Sequence, residues 1–315
     1  MKKYLTKTPI VILLAILCMT LWGSAFPCIK IGYNLFHVDG SDTASQILFA
    51  GVRFTLAGVM VIAVGSIANK KLLLPKKRIT VRNVFMLSAL QTVIQYTFFY
   101  IGLANTTGSK AAIVEALNVF MLVLISSLMF HMEKLTAKKL IGCIIGFAGV
   151  VLANIVPGGM GSGIKLTGEG FIVISTISYA FSSVLMKYLT TDADDTMPIM
   201  LSGYQFLVGG VILSIIGVAM GGHFAITSAA GAGILLYLVF VSAAAYSIWS
   251  LLLKYNPVSK ISVFGFVNPM VGVLLSALIL SETDSLGINS VFALILVCIG
   301  IVIVNYQKHA AGKAV

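Results

Sequence analysis

Apolar runs of about 20 residues recur along the chain, separated by short polar segments. A helix of this length crosses the ~30 Å hydrocarbon core of a bilayer, because each residue rises ~1.5 Å. Lipid offers no partner for unpaired backbone groups, so a spanning segment is either a helix or part of a closed barrel. The runs lack the strict alternation of barrel strands. The sequence therefore predicts an all-α integral membrane protein.

The composition supports lipid as the solvent. Of the 315 residues, 59% are hydrophobic and 10% are charged, whereas soluble domains carry roughly 25% charged residues. A core of this size could not hide so much apolar surface from water. The net charge of +11 comes from short clusters between apolar runs, so no nucleic-acid partner is expected.

Neither the cysteines nor the histidines have the spacing of metal ligands. The four cysteines all lie in apolar runs and form no CxxC pair, and the four histidines are far apart in the sequence. Buried free thiols are the expected state of such cysteines. We predict no metal site and no cofactor.

We predict ten spans, the first an uncleaved N-terminal helix. They lie at 10–36, 44–68, 83–104, 109–131, 136–156, 169–189, 197–220, 230–253, 259–281 and 285–306. A Gly-rich connection, 157–168, separates spans one to five from spans six to ten. We therefore expect a first repeat at 1–157 and a second at 158–315.

Two stretches about 150 residues apart share a series of landmarks. The first series is Ser109-Lys110, Asn118 and Glu133, and the second is Ser259-Lys260, Asn268 and Glu282. The Asn-to-Glu spacing is 15 residues in the first copy and 14 in the second. A shared order of this kind indicates an internal duplication.

The distribution of basic residues predicts the orientation. Of the 21 Lys and Arg residues, 17 fall on the side of the N-terminus, and Lys110 and Lys165 fall on the opposite side. Cytoplasmic loops carry the excess of basic residues, so both termini are expected in the cytoplasm. The expected location is the cytoplasmic membrane of the cell. Five spans per repeat is an odd number, so the two repeats must be inverted. Inverted repeats commonly place a substrate near the bilayer midplane.

Several short motifs complete a resemblance. They are Trp22-Gly23-Ser24, Arg53-Phe54 with Ala57, Asn268-Pro269 followed by Glu282, and Glu133 with Gly142 and Gly149. With the inverted duplication, they resemble the EamA-like family of the drug/metabolite transporter superfamily over roughly residues 10–306. The resemblance implies a carrier of small metabolites, often an exporter of amino acids or related compounds. Val119 stands where the second copy has Pro269, so span four has no proline to kink it.

Three ionisable residues, Lys30, Arg53 and Glu115, lie inside spans. Each costs about 2.5–3.5 kcal/mol on insertion scales, which makes it a functional candidate. Our hypothesis is that Arg53 and Glu115 meet, and that they gate the external side or carry a coupling proton. The alternative is that Lys30 and Arg53 extend to headgroups and Glu115 is a structural partner.

Polar and aromatic side chains recur on single helical faces, which is typical of surfaces that avoid lipid. We predict substrate-binding residues in seven spans: Trp22, Gln91, Gln95, Tyr96, Asn118, Tyr179, Gln205, Tyr246, Trp249 and Asn268. Amides would bind polar groups, and aromatic rings would stack on apolar or cationic parts of a substrate. Hydrogen bonding between helices, worth ~0.6 kcal/mol per contact, remains the alternative for each polar residue.

The function that fits these features is secondary transport by alternating access. The expected substrate is a small polar or amphipathic metabolite, an amino acid or a related compound, and the family resemblance implies export as the favoured direction. Proton coupling through Glu115 remains one of the two roles given above, beside external gating. A lipid flippase is the alternative. A membrane enzyme is less favoured, because the acidic run 192–195 has no second carboxylate cluster on its side to help it hold Mg²⁺. The protein is expected to be a monomer or a homodimer.

Overall fold

The computed structural model describes residues 2–155, 165–194, 196–223, 225–282 and 288–305. Within these ranges the secondary structure is helical and contains no strand. This confirms the predicted all-α class. The connection expected to separate the repeats falls mostly outside the described residues.

Ten long helical segments occur in the described ranges, after a short helix at Lys2–Leu5. They are α1 Thr8–Leu35, α2 Thr43–Ala68, α3 Arg78–Ala104, α4 Gly108–Leu128, α5 Ala137–Ile155, α6 Leu166–Thr190, α7 Met197–Ala219, α8 Ala229–Tyr255, α9 Lys260–Ile279 and α10 Ile288–Asn305. Each predicted span overlaps one of these helices. Eight of them are long and apolar enough to cross a membrane, and Ile288–Val304 is a shorter apolar helix. The count of ten spans stays a prediction.

Helices α2 and α7 pack closely and run antiparallel. A Cβ added to Gly51 would lie 2.4 Å from the Ser214 nitrogen, and one added to Gly58 would lie 2.3 Å from the Leu207 nitrogen. The residue numbers of the contacts on α7 therefore decrease as those on α2 increase. Glycine permits this backbone approach, as small residues do between membrane helices.

These two helices are the second span of each repeat, and their equivalent residues meet. The dipeptides Arg53-Phe54 of α2 and Gln205-Phe206 of α7 match in the sequence, and the rings of Phe54 and Phe206 have centroids 5.1 Å apart. Helices α5 and α10, the fifth span of each repeat, are antiparallel in the same way: Gly142 lies against Val304 and Gly149 against Ala293. Antiparallel contact between equivalent helices is the arrangement that inverted repeats require.

Four of the described helices depart from regular α geometry, and one of them, α6, begins with a π-helical stretch at Leu166–Gly170. Helix α3 contains a π-helical stretch at Ser88–Ile94, α4 is interrupted at Ala116, and α9 contains a 3₁₀ segment at Val263–Phe266. The interruption of α4 arises without a proline: Val119 donates to the Ala116 carbonyl three residues back, at 3.2 Å. Such departures often mark functional positions in helices.

Candidate substrate site

A small cavity of about 40 Å³ lies between the two halves. Side chains from seven helices line it. They are Trp22, Ala25, Phe26, Ile29, Arg53, Gln95, Tyr96, Phe99, Glu115, Asn118, Tyr179, Tyr246 and Asn268. We call it the central cavity. It has room for a few water molecules, whereas ligand pockets usually measure about 300 Å³ or more. The central cavity is therefore too small to hold a metabolite in the described conformation.

The carboxylate of Glu115 is at one wall of the central cavity, where the first part of α4 ends. Its Oε2 accepts a hydrogen bond from Asn118 Nδ2 at 3.1 Å and another from Asn268 Nδ2 at 2.9 Å. The first donor belongs to the same repeat and the second to the other repeat. Both amides stabilise the ionised form, while burial opposes it.

The guanidinium of Arg53 reaches the same cavity from α2 and is 3% exposed. Its Nε donates to the Leu238 carbonyl at 3.2 Å and to Ser242 Oγ at 3.1 Å, and its Nη1 donates to the Tyr100 hydroxyl at 2.9 Å. Its Nη2 donates to none of the described residues. These contacts fix the side chain and leave donors for a further acceptor.

Arg53 and Glu115 thus line one cavity without forming an ion pair with each other in the described chain. Each finds hydrogen-bond partners on other helices. The expected contact between Arg53 and Glu115 does not occur in this conformation. Their role in gating or coupling stays a prediction.

Aromatic rings form another part of the lining. The Trp22 ring is edge-on to Tyr179, Tyr246 and Trp249, with centroids 6.1, 5.1 and 5.5 Å away. The hydroxyls of Tyr96 and Tyr246 hydrogen-bond to each other. Rings that touch edge to face support one another, and their faces suit a cation or an apolar group.

Tyr246 also lines a second cavity of about 10 Å³. We call this space the amide cavity, because Gln91 and Gln205 line it together with Ser202 and Trp249. Both polar atoms of the Gln205 carboxamide lack a hydrogen-bond partner among the described residues, as do Gln91 Oε1, Ser202 Oγ and Trp249 Nε1. Buried polar groups usually find partners, so these groups are available to water or to a ligand.

The structure brings all ten predicted substrate-binding residues to these two adjoining cavities. Seven line the central cavity: Trp22, Gln95, Tyr96, Asn118, Tyr179, Tyr246 and Asn268. Gln91, Gln205 and Trp249 line the amide cavity. Whether they bind substrate stays a prediction.

Lys30 lies outside both linings. It is partly exposed and within electrostatic reach of Glu282. Glu282 in turn accepts from the Gly108 and Ser109 nitrogens at 2.9 and 3.0 Å, and from Ser109 Oγ at 2.9 Å. A carboxylate there satisfies free N–H groups at the N-terminus of α4.

Sequence reasoning missed a second contact at the same end of the molecule. Lys110 and Glu169 form an ion pair of 3.0 Å, with side chains 5% and 4% exposed. Thr106 donates to the same carboxylate. The apolar cavity residues Phe26 and Phe99 were also missed, because nothing in their sequence surroundings separates them from other buried aromatics.

A helical membrane protein with inverted halves around a polar, aromatic-lined cavity is typical of membrane transporters. The chain belongs to the EamA-like transporter family, whose model matches residues 9–155 and 166–306. The family and its named members establish the class as transporter.

Two relatives show how far the similarity extends. The "uncharacterized transporter YvbV" of Bacillus subtilis strain 168 is 29% identical over 319 residues, covering 99% of this chain and 96% of its own. The "uncharacterized inner membrane transporter YedA" of Escherichia coli K12 is 29% identical over 290 residues, covering 89% and 88%. A solved crystal structure, 16% identical, matches with a TM-score of 0.67 over 94% of this chain and 96% of that one, and shows the fold alone.

Proposed function

We propose that this transporter moves a small zwitterionic metabolite, an amino acid or a related compound, by alternating access. One observation carries the proposal: an acidic and a basic side chain, Glu115 and Arg53, face one aromatic-lined cavity and do not neutralise each other. A zwitterion offers the complementary pair of charges.

The ammonium group of such a substrate would lie against Glu115 and the aromatic wall. A carboxylate and ring faces together suit a cation that has lost its water. The substrate carboxylate would take the free donors of Arg53, whose guanidinium is already oriented by Tyr100 and Ser242. Arginine suits this task because its planar fork matches a carboxylate.

Alternating access would come from relative motion of the two repeats. A cavity of about 40 Å³ is too small for an amino acid, so loading requires the halves to separate on one side. Two inverted repeats of the same fold can open on opposite sides by equivalent motions.

The proposed direction is export, as the family resemblance implies. The proposed coupling is to protons through Glu115. The amides of Asn118 and Asn268 favour the ionised carboxylate, and burial opposes it. Binding or release of substrate beside Glu115 can therefore change its protonation. Separate measurements test these two points: flux in vesicles of known orientation, and flux with and without a pH gradient.

The decisive experiment measures counterflow in proteoliposomes of the full chain. Competitors are an amino acid, its methyl ester without the carboxylate, and its deaminated acid without the ammonium. The wild type is expected to prefer the intact amino acid. Arg53→Gln should lose discrimination against the ester, and Glu115→Gln should lose discrimination against the deaminated acid.

Matched controls are Lys134→Gln and Asp192→Asn, which remove the same charges from sites outside the cavity. They should leave discrimination unchanged. If both cavity variants kept full discrimination, the zwitterion site would be refuted. Lipid scrambling without amino-acid flux would favour the flippase instead.

A further inference from the structure

A cleft of about 310 Å³ lies far from the central cavity, between the α2–α3 connection and the start of α7. Its lining residues are Lys71, Leu72, Leu73, Leu74, Lys76, Lys77, Thr80, Asp194, Thr196, Met197 and Met200. We call it the lysine cleft. Nothing in the transport mechanism above uses it.

The lysine cleft has an excess of positive charge. Lys71, Lys76 and Lys77 line it, and their ammonium groups form no hydrogen bond or ion pair with the described residues. Asp194 is the acidic residue in the lining. Three cations against one carboxylate favour an anionic ligand.

Two helices begin at the cleft, and α3 has free N–H groups in its first turn. At the start of α7, the Met197 N–H donates to the Asp194 carbonyl at 3.0 Å and Pro198 has no N–H. The residues before the first turns, Lys77 for α3 and Thr196 for α7, are both in the lining. Neither end has a side-chain cap, and neither first turn contains an acidic residue. Helix N-termini of this kind attract phosphate groups.

Thr80 is independent evidence for a ligand. Its side chain lies in the lining, the residue is 5% exposed, and its hydroxyl has no hydrogen-bond partner among the described residues. A threonine hydroxyl in the lining can donate a hydrogen bond to a ligand in the cleft. A phosphate oxygen in the cleft would accept this bond.

The apolar surroundings indicate that the phosphate belongs to a lipid. Leu72 is 64% exposed and Leu74 is 44% exposed on the cleft-forming segment, and Ile67 at the end of α2 is 78% exposed. A soluble anion would leave this surface in water, whereas acyl chains would cover it. The predicted orientation places the cleft at the cytoplasmic leaflet, which is rich in anionic lipid.

We propose that the lysine cleft binds the phosphate headgroup of an anionic phospholipid of the cytoplasmic leaflet. The lysines and the N-terminus of α3 contact the phosphate, and Thr80 donates a hydrogen bond to it. The leucines contact the upper parts of the acyl chains. The site rests on the predicted orientation and is independent of the transported substrate.

Native mass spectrometry of the full chain, with phosphatidylglycerol and phosphatidylcholine in competition, tests the proposal. The wild type should retain phosphatidylglycerol preferentially. The triple variant Lys71→Gln, Lys76→Gln, Lys77→Gln should lower retention by at least about tenfold, since each basic residue near a membrane contributes ~1 kcal/mol. A triple variant with the same charge loss elsewhere, Lys7→Gln, Lys134→Gln, Lys308→Gln, is the control and should change it little.

A charge-neutral variant separates a built site from diffuse attraction. Thr80→Val removes one hydrogen-bond donor and should lower retention by about threefold to tenfold. Thr191→Val, an exposed threonine outside the cleft, should have no effect. Equal loss in the two triple variants, or full retention by Thr80→Val, would overturn the proposal. Inorganic phosphate that displaced the lipid completely would assign the cleft to a soluble anion and overturn it too.

Discussion

Asn118 and Asn268 occupy equivalent positions in the two repeats, and both donate through Nδ2 to the same oxygen of Glu115. The carboxylate therefore lies where the halves meet. The position in the second repeat that is equivalent to Glu115 is Gly265. The two asparagine amides therefore share the carboxylate of Glu115. A motion that separates α4 from α9 at this point would break the bond from Asn268.

This shared oxygen leads to a prediction about coupling between the two asparagines. Asn118→Ala and Asn268→Ala should each slow transport, and the double variant should slow it by less than the product of the two effects. Residues of one hydrogen-bond network show interaction energies of about 0.5–3 kcal/mol. Counterflow rates of the four proteins test this.

Asn69 provides the control, because its amide bonds within its own helix end, to the Gly65 carbonyl. Asn69→Ala combined with Asn268→Ala should give a simple product. Strictly multiplicative effects for Asn118 and Asn268 would contradict a common role at Glu115.

Arg53→Lys should destabilise the protein although the charge is kept. A lysine ammonium cannot reproduce the planar contacts with Leu238, Ser242 and Tyr100. We expect a loss of about 2 kcal/mol in the free energy of unfolding, seen as a lower midpoint in thermal unfolding in detergent. Arg82→Lys, at an exposed position, should leave the midpoint unchanged, and equal midpoints for both variants would contradict the role of Arg53.

Gly58→Ala should disrupt the contact between α2 and α7. The new Cβ would lie 2.3 Å from the Leu207 nitrogen and 2.8 Å from the Gly203 oxygen, so the helices must separate. Overpacking of this kind costs about 1–3 kcal/mol or more. Gly233→Ala is the matched control: it has no neighbour within 4 Å and should stabilise α8 by about 0.5–1 kcal/mol. Thermal unfolding measures both, and an equal gain in the two variants would contradict the close packing.

The orientation predicts which cysteine probes a membrane-impermeant maleimide can reach. In a variant without the four native cysteines, Lys165→Cys should react in intact cells. Lys76→Cys should react after permeabilisation. The reverse pattern would invert the topology and would place the lysine cleft in the outer leaflet.

The sequence by itself determined the solvent, the helical class and the duplication. Apolar runs of bilayer length leave few alternatives to helices, and the repeated landmarks with an odd span count implied inversion. It also selected polar and aromatic residues that lie close together in the fold, because amide groups inside spans avoid lipid and gather in the interior. All ten predicted binding residues line one of two adjoining cavities.

The tertiary structure decided which of these groups touch. Periodicity shows which face of a helix is polar. Glu115 and Asn268 are 153 residues apart in the sequence, so their contact depends on how α4 packs against α9. The same holds for Arg53, whose partners on α3 and α8 replace the expected Glu115. The interruption of α4 at Ala116 arises without a proline, because helix geometry at a packed interface depends on neighbouring helices as well as on local sequence.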